Sequence, residues 1–219
     1  ITYSLSNNGT YTLLAEIKDV SPDANSWRTT DDVHDNWANI SNSAFGEDAW
    51  ATYAGPGHFN DPDMLVVGTV GWGHPHPTHL TPDEQYTQIS MWCLLSAPLI
   101  LGCDLRKLDP FTLSLITNDE VLDVDQDSSG KQAICVSKQG SICAYAKPMG
   151  NWSWAVGLVN LGTAPASATL NWKDINLRGT ATVRDLWRQK TIGIFRDHFT
   201  AQVPAHGTIL LKVDKIIVD

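Results

Sequence analysis

No apolar stretch of this chain reaches the roughly 20 residues that cross a bilayer; Met91 to Gly102 comes nearest and is broken by Ser96, Pro98 and Gly102. A membrane partner is not expected. Positive charge is also scarce, with 15 Lys and Arg against 24 Asp and Glu for a formal charge of −9. Nucleic acid and anionic lipid surfaces, which need clustered Lys and Arg, are therefore poor partners. Four cysteines are too few for a disulfide scaffold, and none forms a CxxC pair suited to zinc or redox work. Internal repeats and low-complexity linkers are missing. So are an initiating Met, a charged n-region and a signal-type apolar segment; Ile1 reads as mid-strand, so any targeting segment is expected upstream. An exported compartment is preferred to the cytoplasm as an expectation only, and the sequons at Asn8, Asn39 and Asn151 decide nothing.

What is present is ample hydrophobic content, 42% of 219 residues, for one large or two modest packed cores. A change of pattern near Glu120 divides the chain into 1–119 and 120–219. The first part alternates short apolar runs with helix-like stretches, predicting strands at Ile1–Leu5, Ser26–Thr30, Leu65–Val67 and Leu99–Leu101. Helical character is expected over Leu13–Lys18, Val33–Tyr53 and Thr81–Ala97, with a last helix from Asp109–Pro110 to Leu115. The strongest start is Thr81, with Pro82 in the first turn and Glu84 completing a capping box. Tyr86, Ile89, Ser90, Cys93 and Ala97 share one face of that helix, with Gln85 and Gln88 off it. After Gln132, seven short strands separated by turns predict an antiparallel sandwich: Ala133–Val136, Ile142–Ala146, Trp154–Asn160, Ala168–Trp172, Ala181–Leu186, His198–Val203 and Thr208–Val213. Cys135 and Cys143 flank the first turn and are placed to face each other, whereas Cys93 and Cys103 read as core residues.

The chemistry-bearing residues gather where strands run into loops. In WRTTDD (Trp27 to Asp32) an extended backbone would put Arg28, Thr30 and Asp32 on one face. An Asp acting as an acid beside a guanidinium must hold its proton, which takes desolvation or a second carboxylate. In NDPDML (Asn60 to Leu65), Asp61 and Asp63 stand two apart around Pro62, suited to accept hydrogen bonds from sugar hydroxyls. The bland alternative is that Asp31 or Asp32 simply caps the following helix, with Asp35 a solvated helix residue. His74, His76 and His79 in GHPHPTH could mimic a metal cluster, but two prolines and no supporting carboxylate argue for a rim loop, so no metal and no cofactor is expected. Trp37, Trp50 and Trp72 are aromatic candidates for stacking on a sugar; core packing is the simpler role for the first two.

Four long segments in order, WRTTDDVHDNW, AGPGHFNDPDMLVVG, LTPDEQYTQISMWCLLSAPLILGCDLR and EVLDVDQDSSGKQA, closely resemble glycoside hydrolase family 27, the α-galactosidase and α-N-acetylgalactosaminidase family. VRDLW and VPAHGTILLKV resemble its C-terminal β-sandwich. The resemblance implies the second half of a TIM (β/α)8 barrel followed by that sandwich, with Ile1 opening the fifth barrel strand. It implies a retaining exo-hydrolase in which Asp32 is the acid/base, Arg28 lies in the sugar site, and Asp63 with Met64 contacts the sugar; Asp61 is carried as a further binding residue. Asp31 stands where a small residue is common, which leaves the register between Asp31 and Asp32 to be tested. The family's nucleophile lies in a KYD-type segment that this chain lacks, so the fragment alone is expected to be inactive. It would need its missing N-terminal half, or a second copy of itself, as partner. Galactosides are the expected substrate. α-N-acetylgalactosaminides, β-L-arabinopyranosides and isomalto-oligosaccharides remain open because YSLSNNGTYTLLAEIKD resembles an SLS-type branch. The competing class is a non-catalytic carbohydrate-binding fragment using Arg28, Asp63 and Trp72.

Overall fold

Short apolar segments, each followed by a longer amphipathic one, fold as parallel strands with returning helices over the first part of the chain. The computed structural model describes residues 1–6, 10–71 and 73–216, the side chains of 10–13 excepted. Strand β1 spans Ser4–Leu5, helix α1 Thr10–Val20, β2 Ser26–Arg28, α2 Trp37–Ala44 and β3 Phe59–Asp61. These strands form a parallel sheet in the order β1-β2-β3, which sets Arg28 beside Asp61. Leu65 bridges in parallel to Leu101, adding a fourth wall element. The result is an arc of a (β/α)8 barrel, and parallel pairing brings the carboxyl ends of the strands to one rim.

Several elements are shorter than expected. Leu65–Val67 is buried as predicted, yet it and Leu99–Leu101 contribute one bridge and no ladder. The single helix expected over Val33–Tyr53 is interrupted, because Gly46 adopts φ +102° and restarts the chain as a 3-10 turn at Glu47–Trp50. Neither Asp31 nor Asp32 caps α2: Asn36 does, its side chain accepting from the Asn39 amide. A two-stranded ribbon, β4 Thr69–Val70 and β5 His76–Pro77, follows the NDPDM segment.

Helix α3, Pro82–Leu95, starts as the sequence predicts, with the Thr81 and Glu84 capping box formed and Pro82 in the first turn. It ends two residues before Pro98, at Ser96 in the left-handed region. The expectation that Gln85 and Gln88 lie off a single buried face is corrected: both are buried, since the helix is covered on nearly every side. Helix α4, Pro110–Ile116, is capped by Asp109, and α5, Asp119–Asp125, straddles the expected division at Glu120 and packs on α3.

Eight strands make the sandwich, one more than the seven expected. They are β6 Ile134–Gln139, β7 Ile142–Pro148, β8 Trp154–Asn160, β9 Ala166–Asn171, β10 Thr180–Asp185, β11 Lys190–Arg196, β12 His198–Val203 and β13 Thr208–Lys215. Six pair antiparallel in the order β11-β10-β13-β8-β7-β6, and β9 pairs with β12 as a second sheet. The unforeseen β11 is an exposed edge strand, so burial leaves little alternation to read in it. Period-two alternation divides β7 cleanly: Ile142, Ala144 and Ala146 enter the core between the sheets, while Cys143 and Tyr145 face α3 and its neighbours. The large sheet is thus covered on both faces, which ties the two units together. Lys147, fully buried on the helix-facing side, donates from Nζ to the Cys93 carbonyl (3.0 Å) and Ser96 Oγ (2.6 Å) at the carboxyl end of α3. That placement favours a cation, although burial still pulls Lys147 down to about 8. Cys135 and Cys143 are joined as a disulfide, diagonally across a bulge rather than directly opposite, and Cys93 and Cys103 are free.

Candidate active site

At the carboxyl rim of the barrel arc a cleft of ≈ 480 Å³ is bordered by Arg28, Asp32, Asp35, Asp63, Met64 and His76, among others. Arg28 is the last residue of β2, so its guanidinium emerges at the rim, where Nη2 lies 2.8 Å from Asp63 Oδ2 and 3.4 Å from Asp32 Oδ1. The expected pairing of Arg28 with Asp32 therefore holds, across an i,i+4 turn beyond the strand. The two carboxylates are unequal. Side-chain exposure is 75% for Asp32 and 11% for Asp63.

Asp63 is fixed from every side. Its Oδ2 accepts from Arg28 and from the Val33 amide (2.8 Å), its Oδ1 accepts from the Met64 amide (2.7 Å), and its carbonyl accepts from Trp92 Nε1 (2.6 Å). The backbone there has φ +80°, a left-handed conformation that Asp tolerates better than most side chains because it bonds locally. That turn removes the extended alternation on which the sequence reading of Asp61 and Asp63 rested. Asp61 lies beneath the cleft, 3% exposed, with Oδ1 accepting the Asp63 amide hydrogen (2.9 Å). Burial pushes its carboxyl up from the ordinary value, against the Asp63 amide and the Arg28 guanidinium, which pull it down. The structure thus brings Arg28, Asp32, Asp63 and Met64 to one surface and sets Asp61 behind them.

Asp31 faces elsewhere. It borders a separate cleft with Thr30, Asn39 and Glu47, which leaves Asp32 as the acidic residue of the WRTTDD segment at the Arg28 cleft. Glu47, unmarked in the sequence, is buried with one carboxylate oxygen unpartnered, and burial raises it to about 7. The supports of the NDPDM turn were also missed. Gln88 accepts from the Val66 amide and donates to the Met64 carbonyl, while Gln85 accepts from the Gly68 amide and donates to the Leu80 carbonyl. Two glutamines three apart, on the turns just before the apolar run Met91–Leu95, are the signal that could have revealed them, since buried polar groups must be paired. Gly102 completes the wall, where a Cβ would come within 2.8 Å of both Met64 Sδ and the Leu65 carbonyl oxygen.

Two further expectations need correction. Asp35 is not a solvated helix residue: it lies ahead of α2 and accepts from Thr78 Oγ1 (2.5 Å) and from the His79 amide (3.0 Å). It is also the carboxylate that the histidine loop seemed to lack, with Oδ2 3.0 Å from His79 Nδ1. Of the tryptophans, Trp50 is 2% exposed in a core and Trp37 stacks on His206 at 4.5 Å, so neither offers a sugar platform. Trp72 lies outside the described residues.

The family model described as "Alpha galactosidase A" matches residues 3–127, and that described as "Alpha galactosidase C-terminal beta sandwich domain" matches 139–213. Alpha-galactosidase 2 of Arabidopsis thaliana is 41% identical over 185 residues, covering 84% of this chain and 45% of that protein. Among solved structures, a family 27 β-L-arabinopyranosidase from Geobacillus stearothermophilus superposes with a TM-score of 0.91 at 28% identity, covering 100% of this chain and 51% of the other. Alpha-galactosidase I from Mortierella vinacea gives 0.86 at 32% identity, covering 97% and 58%. The chain spans about half the length of these relatives. With the barrel arc, the sandwich and both family matches in sequence order, it belongs to glycoside hydrolase family 27, the α-galactosidase family, as a C-terminal part.

Proposed function

We propose that this chain carries the acid/base half of a retaining exo-α-galactosidase, with the attacking carboxylate supplied by residues outside it. The observation that carries the proposal is the asymmetry around Arg28. One guanidinium nitrogen spans a buried carboxylate whose oxygens are already occupied, Asp63, and an exposed one, Asp32, that a departing glycosidic oxygen can reach; the second carboxylate that would hold its proton is the attacking one, outside this chain. Double displacement asks for such an acid on one side of the glycosidic bond and a nucleophile about 5 Å away on the other. Asp32 protonates the departing oxygen, then takes a proton from the water that releases the sugar. Arg28, Asp63 and Met64 hold the sugar. Asp63 is unsuited to attack, because Oδ2 is committed to Arg28 and Val33 and Oδ1 to Met64. Asp35 is similarly engaged, by Thr78 and His79.

Exposed apolar side chains on the open flanks of the arc, Tyr3 at 54% and Ile100 at 50%, support a partner that closes the barrel. The missing N-terminal half is our preferred partner, with self-association as the alternative. A second substrate reading, β-L-arabinopyranosides, is favoured by the Geobacillus stearothermophilus neighbour. It differs in asking the cleft to accept a sugar without the exocyclic carbon of galactose. Residues 7–9, part of the YSLSNNGTYTLLAEIKD segment that leaves the sugar open, lie outside the described residues.

The test is turnover of aryl α-galactoside and aryl β-L-arabinopyranoside by a polypeptide in which the first four barrel strands precede this chain. Asp32→Asn is expected to lower turnover by about 10²–10⁴-fold, with Asp31→Asn near wild type. Loss confined to Asp31→Asn would overturn the assignment.

A further inference from the structure

We propose that Asp35, His76 and His79 form a binding site for one divalent transition-metal ion of the zinc, nickel or copper type, at the rim of the sugar cleft. The three residues come from two segments about forty positions apart, joined by the packing of the β4–β5 ribbon on the turn before α2. Asp35 Oδ2 lies 3.0 Å from His79 Nδ1 and 3.8 Å from His76 Nδ1, and one ligand atom from each residue falls within 4.8 Å of the others. An ion with bonds of about 2.0–2.1 Å holds neighbouring ligands roughly 2.9–3.4 Å apart in octahedral or tetrahedral geometry. Small rotations of the two imidazoles reach that spacing, and both have room, with side chains 41% and 71% exposed.

The ligand chemistry narrows the ion. Two imidazoles and one carboxylate suit borderline transition metals and are a poor cage for calcium or magnesium, which take oxygen sets. The carboxylate is oriented as metal ligands commonly are, by hydrogen bonds from outside the ligand set, here the Thr78 hydroxyl and the His79 amide. The histidine rings lie 4.9 Å apart at 24°, both beside one carboxylate oxygen that already has a close partner. His76 Nδ1 lies 2.9 Å from the Pro77 carbonyl, so ligation requires the ring to give up that hydrogen bond or to turn Nε2 inward, which its 41% exposed side chain has room to do. Pro75 and Pro77 bracket His76 and stiffen its backbone, lowering the entropy lost on binding. Three protein ligands leave at least one coordination position to water. Since His76 also borders the cleft of Arg28, Asp32 and Asp63, an ion here clips the ribbon against the start of α2 beside the sugar.

The test is calorimetric titration of the chelator-treated chain with zinc chloride, with thermal unfolding measured in parallel. We expect one equivalent bound with a Kd of about 1–10 μM, as befits three ligands without a fourth, and a midpoint temperature that rises with zinc concentration. His79→Ala and His76→Ala should each weaken binding at least about tenfold, whereas His74→Ala should match wild type. Circular dichroism of the exposed-site variant His79→Ala identifies a loss of fold, and the zinc-dependent rise in midpoint of a folded His79→Ala chain must then disappear. Binding weaker than about 1 mM, or micromolar binding that survives the double change His76→Ala with His79→Ala, would overturn the site.

Discussion

Replacing Asp63 by Asn separates the carboxylate that builds the cleft from the one assigned to chemistry. Asp63 Oδ2 accepts from the Arg28 guanidinium and the Val33 amide, and Oδ1 from the Met64 amide. Whichever way an Asn amide is turned, its NH2 meets an N–H donor, and the charge facing Arg28 is gone. Leaving a buried hydrogen-bonding group unsatisfied costs about 1–3 kcal/mol, and breaking a buried ion pair by removing one partner costs about 3–5 kcal/mol. Arg28 and Asp63 are each 11% exposed, so the buried figure applies, and Arg28 Nε already has no partner. Asp32 stays near the guanidinium and offsets part of the loss, which places the expected cost near 3 kcal/mol, the low end of that range. With a urea slope of about 2 kcal/mol/M, the unfolding midpoint should fall by roughly 1.5 M at unchanged slope. Asp32→Asn, at an exposed pair, should cost under about 1 kcal/mol. Equal shifts for the two variants, or less than about 1 kcal/mol for Asp63→Asn, would refute the division of roles.

Two other perturbations test different parts of the structure. Burial raises Glu47 from 4.5 to about 7, so the folded chain binds its proton more tightly than the unfolded chain does. The stability this confers is full below pH 4.5 and is lost as pH rises toward 7. Glu47→Gln, with a permanently neutral side chain, should flatten that part of the pH profile and gain about 1–3 kcal/mol at pH 7 relative to wild type. Urea midpoints at pH 5 and 7 check it, and an unchanged difference between the two pH values contradicts it. At the seam between the units, a Cβ on Gly157 would come 2.5 Å from Leu94 Cδ1. Gly157→Ala should destabilise by about 1–3 kcal/mol. Combined with Leu94→Ala the total should fall short of the sum of the two single changes, a coupling that separate sites would not show.

How much of this was legible in the sequence depends on how far apart the interacting residues lie. The capping box at Thr81, the cap at Asp109 and seven of the eight sandwich strands are encoded within a few residues, and the exposed edge strand β11 is the exception because nothing buries one of its faces. Arg28 and Asp32 could be paired because only four positions separate them. Asp35 could not be matched to His76 and His79, since their meeting depends on how the ribbon packs over forty residues later. Gln85 and Gln88 were misplaced for a related reason. Helical periodicity assumes one buried face, whereas α3 lies between the barrel arc and a sheet, so a polar residue can be buried wherever a loop amide needs an acceptor. The position of Asp63 was readable but its geometry was not, because a left-handed backbone at φ +80° breaks the alternation assumed for a strand end.

If Asp32 is the proton donor of a double displacement whose nucleophile lies elsewhere, azide should rescue the enzyme that lacks its carboxyl. In a polypeptide that supplies the first four barrel strands, Asp32→Ala should hydrolyse aryl α-galactoside slowly. Added azide needs no general base, so it should restore turnover and yield α-galactosyl azide, the configuration left by two successive inversions. Release of β-galactosyl azide would instead make Asp32 the nucleophile, and absence of any rescue would remove it from the proton-transfer role altogether.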